Sequence, residues 1–386
     1  MFKCFKFKER LSHFVWIHER QSQRTDQGPM PELTRTATTT SAGLPSVSVV
    51  VPVRNERHRI PELLAAIEAQ TLRPIEVLVA DGCSDDGTLE WLRDAARRHP
   101  WLRVVENPAR VIPSGLNLAI AQARGEVVAR MDAHAYYAPD YLRQLATVLA
   151  GHPEVVGAGG AMTTDGRGAW GRAIAAVLRR RIGLGGARHR TGGGGGPIEH
   201  VFSGAYRRQA LIAIGGYDPT LHANEDFEVD HRLRQAGGTI WLEPRARVTW
   251  YTRESATALA RQMWRYGFFK ARTLRLHPRS LRPRQLAPPA LVLCLTALTI
   301  GRPRLGIVTW LCYLGTAVGL GALAGRADRA SPLRAGLATP TVHLCWGLGL
   351  LVGLLRHREA ARRPILPAPG AGSLQPTSPG TDEPVG

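Results

Sequence analysis

In the segment ARMDAHAYYAPDY, residues 129–141, Asp132 and His134 stand one residue apart just beyond the apolar run Val127, Val128, Ala129. A carboxylate offers hard oxygen donors and an imidazole a nitrogen. In an extended segment residues i and i+2 point the same way, so the pair could reach one divalent cation at a strand tip. Such an ion, with positions left open for phosphate oxygens, neutralises a diphosphate, and this donor set leans from Mg2+ towards Mn2+. The competing reading is a turn started by Asp132 and capped by His134, with no ligand at all. Two further acidic places punctuate the chain: Asp81 in VLVADGCSDDGT, and the pair Glu225 and Asp226 in HANEDFEVDHRLRQAG. An acid at the amino end of a helix is often only a cap or a partner of the helix dipole.

The elements that must position these groups are legible as alternating apolar runs and helical segments. SVSVVVPVRNE (46–56) has the continuous β-branched character of a buried parallel strand. A helix through PELLAAIEAQ (61–70), a strand IEVLVA (75–80) and a helix TLEWLRDAARR (88–98) follow. Then come a strand LRVVE (102–106), a helix around SGLNLAIAQA (114–123) and a strand EVVARM (126–131). This alternation predicts βαβ units around a parallel sheet, whose ligands bind beyond the carboxyl ends of the strands. Those ends carry Asn55 and Glu56, then Asp81, then Asp132 and His134. Neither GxGxxG nor GxxxxGK[ST] is present, so dinucleotide and P-loop chemistry are disfavoured.

The chain of 386 residues carries a formal net charge of +19, nearly all of the excess arginine, which calls for an anionic partner. Five scattered cysteines without CxxC spacing argue against a disulfide framework and a zinc site. Residues 1–45 form a basic, then Thr/Ser-rich leader without an apolar core of signal-peptide length, expected to be disordered or loosely membrane-touching; a start codon placed too far upstream is the alternative.

Together VVVPVRNE, VLVADGCSDDGT, MDAH and GAYRRQALIAIGGYDPTLHANEDFEVDHRLRQAG resemble the family 2 glycosyltransferases of the GT-A fold, in particular the membrane-bound enzymes of succinoglycan-type exopolysaccharide synthesis. The resemblance covers roughly 46–275 and implies an α/β, Rossmann-like, mostly parallel catalytic domain over 46–260. It implies that Pro52, Val53, Asn55, Glu56, Asp81 and Asp132 bind the nucleotide sugar, Asp81 having a chemical reason to accept a uracil imide proton. The family's metal motif is usually Asp-x-Asp; here His134 takes the second place, so Asp132 and His134 are the implied ligands of Mn2+ or Mg2+. The acidic pair would supply the general base of an inverting transfer, Asp226 as base with Glu225 orienting it or contacting the acceptor. Gln262, Arg265 and Tyr266 are similar to a relaxed Gln-x-x-Arg-Trp signature that holds diphosphate or acceptor sugar.

The glycine-rich stretch 183–196 reads as a mobile loop over the site or as a plain linker. Residues 261–284 carry eight basic residues and no acid, and the whole segment 261–285 reads as a basic amphipathic element on anionic lipid. Apolar segments at 286–301, 305–324 and 336–355 predict two or three transmembrane helices over 286–356, followed by a disordered tail, 357–386. Arginine concentrated before residue 286 places the catalytic domain on the cytoplasmic side of a multi-pass plasma-membrane protein.

The expectation is therefore an inverting, metal-dependent glycosyltransferase that moves a sugar from a nucleotide sugar, preferably a UDP-sugar, to a lipid-linked or growing glycan in exopolysaccharide or cell-envelope synthesis. Its charge serves the membrane and the diphosphate, not nucleic acid. The alternatives are a processive synthase, disfavoured by the few spans and the altered signature, and a silent membrane-anchored scaffold, disfavoured by the intact series Asp81, Asp132, Asp226. A nucleotidyltransferase is disfavoured by the missing glycine-rich activating loop.

Overall fold

A computed structural model describes residues 43–184, 190 and 194–357. The leader, the tail and most of the glycine-rich stretch 183–196 lie outside the described residues.

The first half of the domain is a run of parallel strands. β1 (Val47–Val53) pairs on one side with β2 (Glu76–Asp81), which pairs with β3 (Leu102–Glu106), and on the other with β4 (Val127–Arg130). Helices α1 (Ile60–Glu68), α2 (Thr88–Arg98) and α3 (Ile112–Gln122) are the crossovers. α1 buries Ile60, Leu63, Leu64 and Ile67, the i, i+3, i+4, i+7 stripe of an amphipathic helix. β1 is buried except at Pro52 and β2 throughout, as strands covered on both faces must be.

The second half mixes directions. It contains β5 (Ala135–Tyr137), α4 (Tyr141–Gly151), β6 (Val155–Asp165), α5 (Gly168–Leu178), the short α6 (Arg181–Leu184) and β7 (Gly196–Pro197). These are followed by β8 (Ala205–Arg207), α7 (Arg208–Ala213), α8 (Glu225–Gln235) and β9 (Thr239–Tyr251). Among the described residues the sheet has nine strands in the order β3-β2-β1-β4-β8-β6-β9-β5, with β7 on β9. β8 joins the halves by running antiparallel to both β4 and β6. β6 and β9 pair in parallel over most of their length, with a register shift after Gly160. A Cβ at Gly160 would stand 2.0 Å from the Ala246 carbonyl oxygen, so only glycine permits that approach.

The apolar C-terminal segments become α10 (Ala287–Gly301), α11 (Pro303–Ala327) and α12 (Pro332–Arg356). Counting the turn that leads into α10, three helices are long and apolar enough to cross a membrane. The first reaches that length only by starting at Pro283, upstream of the apolar run. α9 (Ala256–Leu276), the basic helix, begins earlier than its charge pattern suggested. It is packed tightly along α12: a Cβ at Gly267 would lie 2.1 Å from the Trp346 carbonyl oxygen, one at Gly349 2.4 Å from that of Trp264, and one at Gly353 2.5 Å from that of Phe268. α12 thereby meets α5 near its start and α9 near its end. Arg334 near its start lies over the Trp170 ring of α5, and the Leu354 carbonyl near its end accepts from Arg275 of α9. The turn before α12 is anchored as well, since Asp328 pairs with Arg179 and Arg180 just after α5, at 2.7 and 2.8 Å.

Candidate active site

The carboxyl ends of β1, β2 and β4 open on one face, and there the loops carry the chemistry. After β1 the chain turns through Asn55 in the left-handed region (φ 57°), and after β2 through Cys83 (φ 55°). The two loops are tied together: the Asn55 amide N–H donates to Ser84 Oγ at 2.9 Å, and Asn55 Nδ2 to Asp85 Oδ1 at 2.9 Å. The Glu56 N–H donates to Thr88 Oγ1 at 3.1 Å. Asp81 is buried, and its two oxygens accept from the Ser84 hydroxyl (2.6 Å) and amide (3.0 Å). Pro52 and Val53 at the end of β1, Asn55 and Glu56 in the loop after it, and Asp81 at the end of β2 are thus brought together at one edge.

β4 ends at Arg130, and this residue was not foreseen. Its guanidinium, 4% exposed, donates to both oxygens of Asp132 (Nε to Oδ1 2.8 Å, Nη2 to Oδ2 3.2 Å). It also donates to Glu225 (3.2 Å) and to Asp226 (2.5 Å). One buried cation therefore gathers three acids from two elements far apart in sequence. The available signal was a charged residue inside VVARM, since a buried arginine needs acidic partners.

The strand geometry assumed for Asp132 and His134 does not hold. The ladder stops at Arg130, and residues 131–134 turn back so that the Ala135 N–H donates to the Asp132 carbonyl at 3.1 Å. Asp132 is fixed by its own N–H donating to the Tyr137 hydroxyl at 2.7 Å, and its carboxylate receives the Ser203 hydroxyl at 3.4 Å. His134 is half-buried in a small cleft with Arg59, Glu62, Tyr136, Arg167 and Tyr251.

Burial and neighbouring charges shift these groups in different directions. Burial alone would push the Asp132 carboxyl up, but Arg130 and His134 hold it below its ordinary value, so it is ionised. Burial, with Arg253, Arg130 and Arg59 nearby, pushes His134 down to about 4 against the pull of Asp132, so its ring is neutral at pH 7. Asp226 goes the other way: burial, with Glu225, Asp132 and Asp230 close, raises it well above the ordinary carboxylate range despite Arg130. Glu56 is also raised, first by burial and further by Asp132 and Asp86, against Arg59 and Arg253. Arg253 was the second residue missed; its charge reaches both Glu56 and His134.

An ionised carboxylate and a neutral imidazole are the protonation states that ligand a divalent ion. Arg130 occupies one direction on each Asp132 oxygen, and a carboxylate offers about four lone-pair sites, so further donation is chemically open. No group of three or more His, Cys, Asp or Glu that could hold a metal occurs among the described residues. Asp132 and His134 are thus at most two protein donors for such an ion.

The acidic pair begins α8, entered through Asn224 in the left-handed region (φ 64°). Asn224 Nδ2 donates to the Tyr266 carbonyl of α9 at 3.1 Å, and His222 stacks on Phe269 at 5.1 Å. α9 thus clamps the segment that carries Glu225 and Asp226. Of the predicted trio on α9, Gln262 Nε2 donates to the Tyr266 hydroxyl at 3.3 Å, while Arg265 is exposed.

A parallel half-sheet with ligand loops at its carboxyl ends, continued by a mixed half that contributes a second acidic element, defines a GT-A-like glycosyltransferase. The glycosyl transferase family 2 model matches residues 48–215. The chain is 32% identical over 325 residues to the succinoglycan biosynthesis protein ExoA of Rhizobium meliloti, covering 81% of this chain and 96% of that protein. It belongs to glycosyl transferase family 2, and it is an enzyme of that class. A shorter match, 32% identical over 116 residues and covering 29% of this chain and 34% of the relative, is to an undecaprenyl-phosphate 4-deoxy-4-formamido-L-arabinose transferase of Pseudomonas savastanoi. Among solved structures, the mannosyltransferase PcManGT of Pyrobaculum calidifontis, in complex with GDP-Man and Mn2+, superposes with a TM-score of 0.54 at 20% identity, covering 90% of this chain and 94% of that one. That likeness concerns the fold.

Proposed function

We propose that the protein is an inverting glycosyltransferase that transfers a sugar from a nucleotide sugar, preferably a UDP-sugar, to a hydroxyl of a lipid-linked or growing glycan at the cytoplasmic membrane face. The observation that supports this reading is the Arg130 bridge, which holds Asp132 and Asp226 on a single guanidinium at the carboxyl end of β4.

In this reading Asn55, Glu56 and Asp81 hold the nucleoside, with Pro52 and Val53 forming the floor. Asp132 and His134 would hold Mn2+ or Mg2+, whose charge offsets that of the departing diphosphate. Asp226 removes the acceptor proton on the opposite side, and its raised pKa makes it a stronger base than an ordinary carboxylate. Glu225 shares Arg130 with it and orients it. Gln262, Arg265 and Tyr266 flank the acceptor. The similarity to a succinoglycan biosynthesis protein supports a role in exopolysaccharide or envelope glycan synthesis. The transferase named for undecaprenyl phosphate supports a lipid-borne acceptor, and the PcManGT complex with GDP-Man and Mn2+ supports the donor class and the ion.

The test is to incubate membranes containing the protein with a panel of labelled nucleotide sugars and extract the glycolipid. A label on lipid in wild type and none with Asp226→Asn is expected; no labelled lipid or glycan with any donor would refute the reading. The length of the product separates single addition from polymerisation.

A further inference from the structure

Along the stripe of α8 that carries Phe227 and His231, on the facing side of α9 and in the turn after it, three buried polar groups have no hydrogen-bond partner. Lys270 of α9 is 2% exposed; its Nζ lies 4.1 Å from the centroid of the Phe227 ring and has no hydrogen-bond partner. Phe227 stacks over His231 at 6.3 Å, and the His231 ring meets His277 edge-on at 4.5 Å. His231 Nδ1 faces an Arg234 N–H at 3.5 Å and so acts as acceptor, which leaves the proton on Nε2, a buried atom again without a partner. Ser280 closes the 3-10 turn that begins at Pro278, its N–H donating to the His277 carbonyl at 2.9 Å; its hydroxyl, 3% exposed, is the third unpartnered group.

The acids nearby do not answer these donors. Glu228 is taken up by Arg232 (2.7 Å on each oxygen) and by His277 (2.9 Å). Glu199 is paired with Arg282 at the rim. Arg282 and Arg284 add positive charge that Lys270 feels; burial together with these arginines lowers Lys270 to about 8, against Glu199. A buried ammonium without an acceptor is costly, and an oxyanion is the ligand that would answer it together with the unpartnered donors His231 and Ser280, which Phe227 and His277 link to it.

We propose that Lys270, His231 and Ser280 form a phosphate-binding subsite, and that it receives the phosphate ester of the acceptor. The inference rests on the lipid-borne acceptor of the preceding section. Location favours a lipid source: the cluster sits in the stem from α9 to Ala287, where the first membrane-length apolar helix begins, so a phosphate held there leaves its hydrocarbon chain beside that helix. Phe227 adjoins the proposed base Asp226 in sequence, so a sugar linked to that phosphate would lie next to the acidic pair.

The experiment uses the full chain in detergent and follows thermal unfolding with farnesyl phosphate, farnesol or inorganic phosphate added. Farnesyl phosphate should raise the melting temperature of wild type, and Lys270→Met should weaken its apparent affinity about tenfold or more. The same variant should melt higher than wild type without ligand, because it removes an unpaired buried charge. Lys270→Arg should recover part of the affinity, and Ser280→Ala provides a milder loss in a variant with little risk to folding. Equal stabilisation by farnesyl phosphate in wild type, Lys270→Met and Ser280→Ala would overturn the subsite, as would farnesol acting as well as its phosphate. Inorganic phosphate matching farnesyl phosphate, with the same loss in Lys270→Met, would keep the anion site and overturn its lipid source. Farnesyl phosphate binding that needs Lys270, in a protein that labels no lipid from any donor, would sustain the subsite and overturn the proposed transfer.

Discussion

Arg130 and Asp226 are separated by 96 positions in the chain and by 2.5 Å in space. The same guanidinium binds both oxygens of Asp132, so the proposed metal ligand and the proposed base are set by one side chain. Removing it as Arg130→Met would leave the buried Asp132 and Glu225 and the half-buried Asp226 without their shared counter-charge. The expected loss is about 3–5 kcal/mol in denaturant unfolding; an unchanged midpoint would mean that the cluster contributes nothing to the fold. Arg130→Lys should recover little, because a point charge cannot span two carboxylates as a planar fork does.

Asp226→Asn should reduce turnover by about 10²–10⁴-fold, the range of general-base catalysis, with donor binding near the wild-type value. Single-turnover rates and nucleotide-sugar affinity measured on the same preparation decide this. A normal rate removes Asp226 as base.

The pH profile carries a sign. Asp226 acts deprotonated, and burial with neighbouring acids raises its pKa, so activity should fall as pH drops through a value above the ordinary 3.8. Arg130 acts against that rise, so in any Arg130→Lys enzyme active enough to measure, the acid limb should move to higher pH if the shorter cation pairs less closely. A shift towards lower pH would contradict the assignment.

His134 is tested through the metal. Asp132→Asn should abolish both transfer and metal-dependent nucleotide binding, whereas His134→Ala should change the order of preference between Mn2+ and Mg2+, since a nitrogen donor is replaced by water. An unaltered preference would make His134 a structural residue of the cleft.

Stability has its own titration, away from the reaction. Burial alone would raise Glu228, yet its bonds to His277 and Arg232 lower it from an ordinary 4.5 to about 2. A depressed carboxylate stabilises the fold above its unfolded pKa, and that contribution is lost as pH falls from about 4.5 towards 2. It amounts to about 3 kcal/mol. The Glu228→Gln protein should lack this part of the acid dependence of unfolding, and an identical acid dependence in both proteins would refute the assignment.

The close seat of α12 is testable at Gly267, where any side chain would meet the Trp346 carbonyl at about 2 Å. Gly267→Leu should force α9 and α12 apart and lower activity together with thermal stability, although it touches no proposed donor ligand. Wild-type behaviour would show that the glycine contact is dispensable.

Much of this was legible in the chain itself, for physical reasons. The strands 102–106 and the helix 88–98 fall where β-branched runs and apolar spacing put them, and the others differ by a few residues at their ends. Polar groups at strand ends pointed to one face because parallel βαβ units aim every strand tip the same way. The tie between Asn55 and Ser84, and the burial of Asp81 beside it, are short-range consequences of that topology. The extended geometry expected of Asp132 and His134 beyond the strand 126–131 fails because pairing stops at Arg130 and the chain turns at 133–134, which depends on long-range pairing that local residue types do not specify.

By itself the sequence determined the parallel half-sheet, the order of its acids and the presence of membrane-length helices, all local properties of periodicity and residue type. Tertiary structure decided that Arg130 joins Asp132 to Glu225 and Asp226, that α9 packs against α12 instead of lying free, and that Lys270, His231 and Ser280 are buried without hydrogen-bond partners. Each of these depends on burial and pairing between segments tens of residues apart in sequence, which local residue types do not encode.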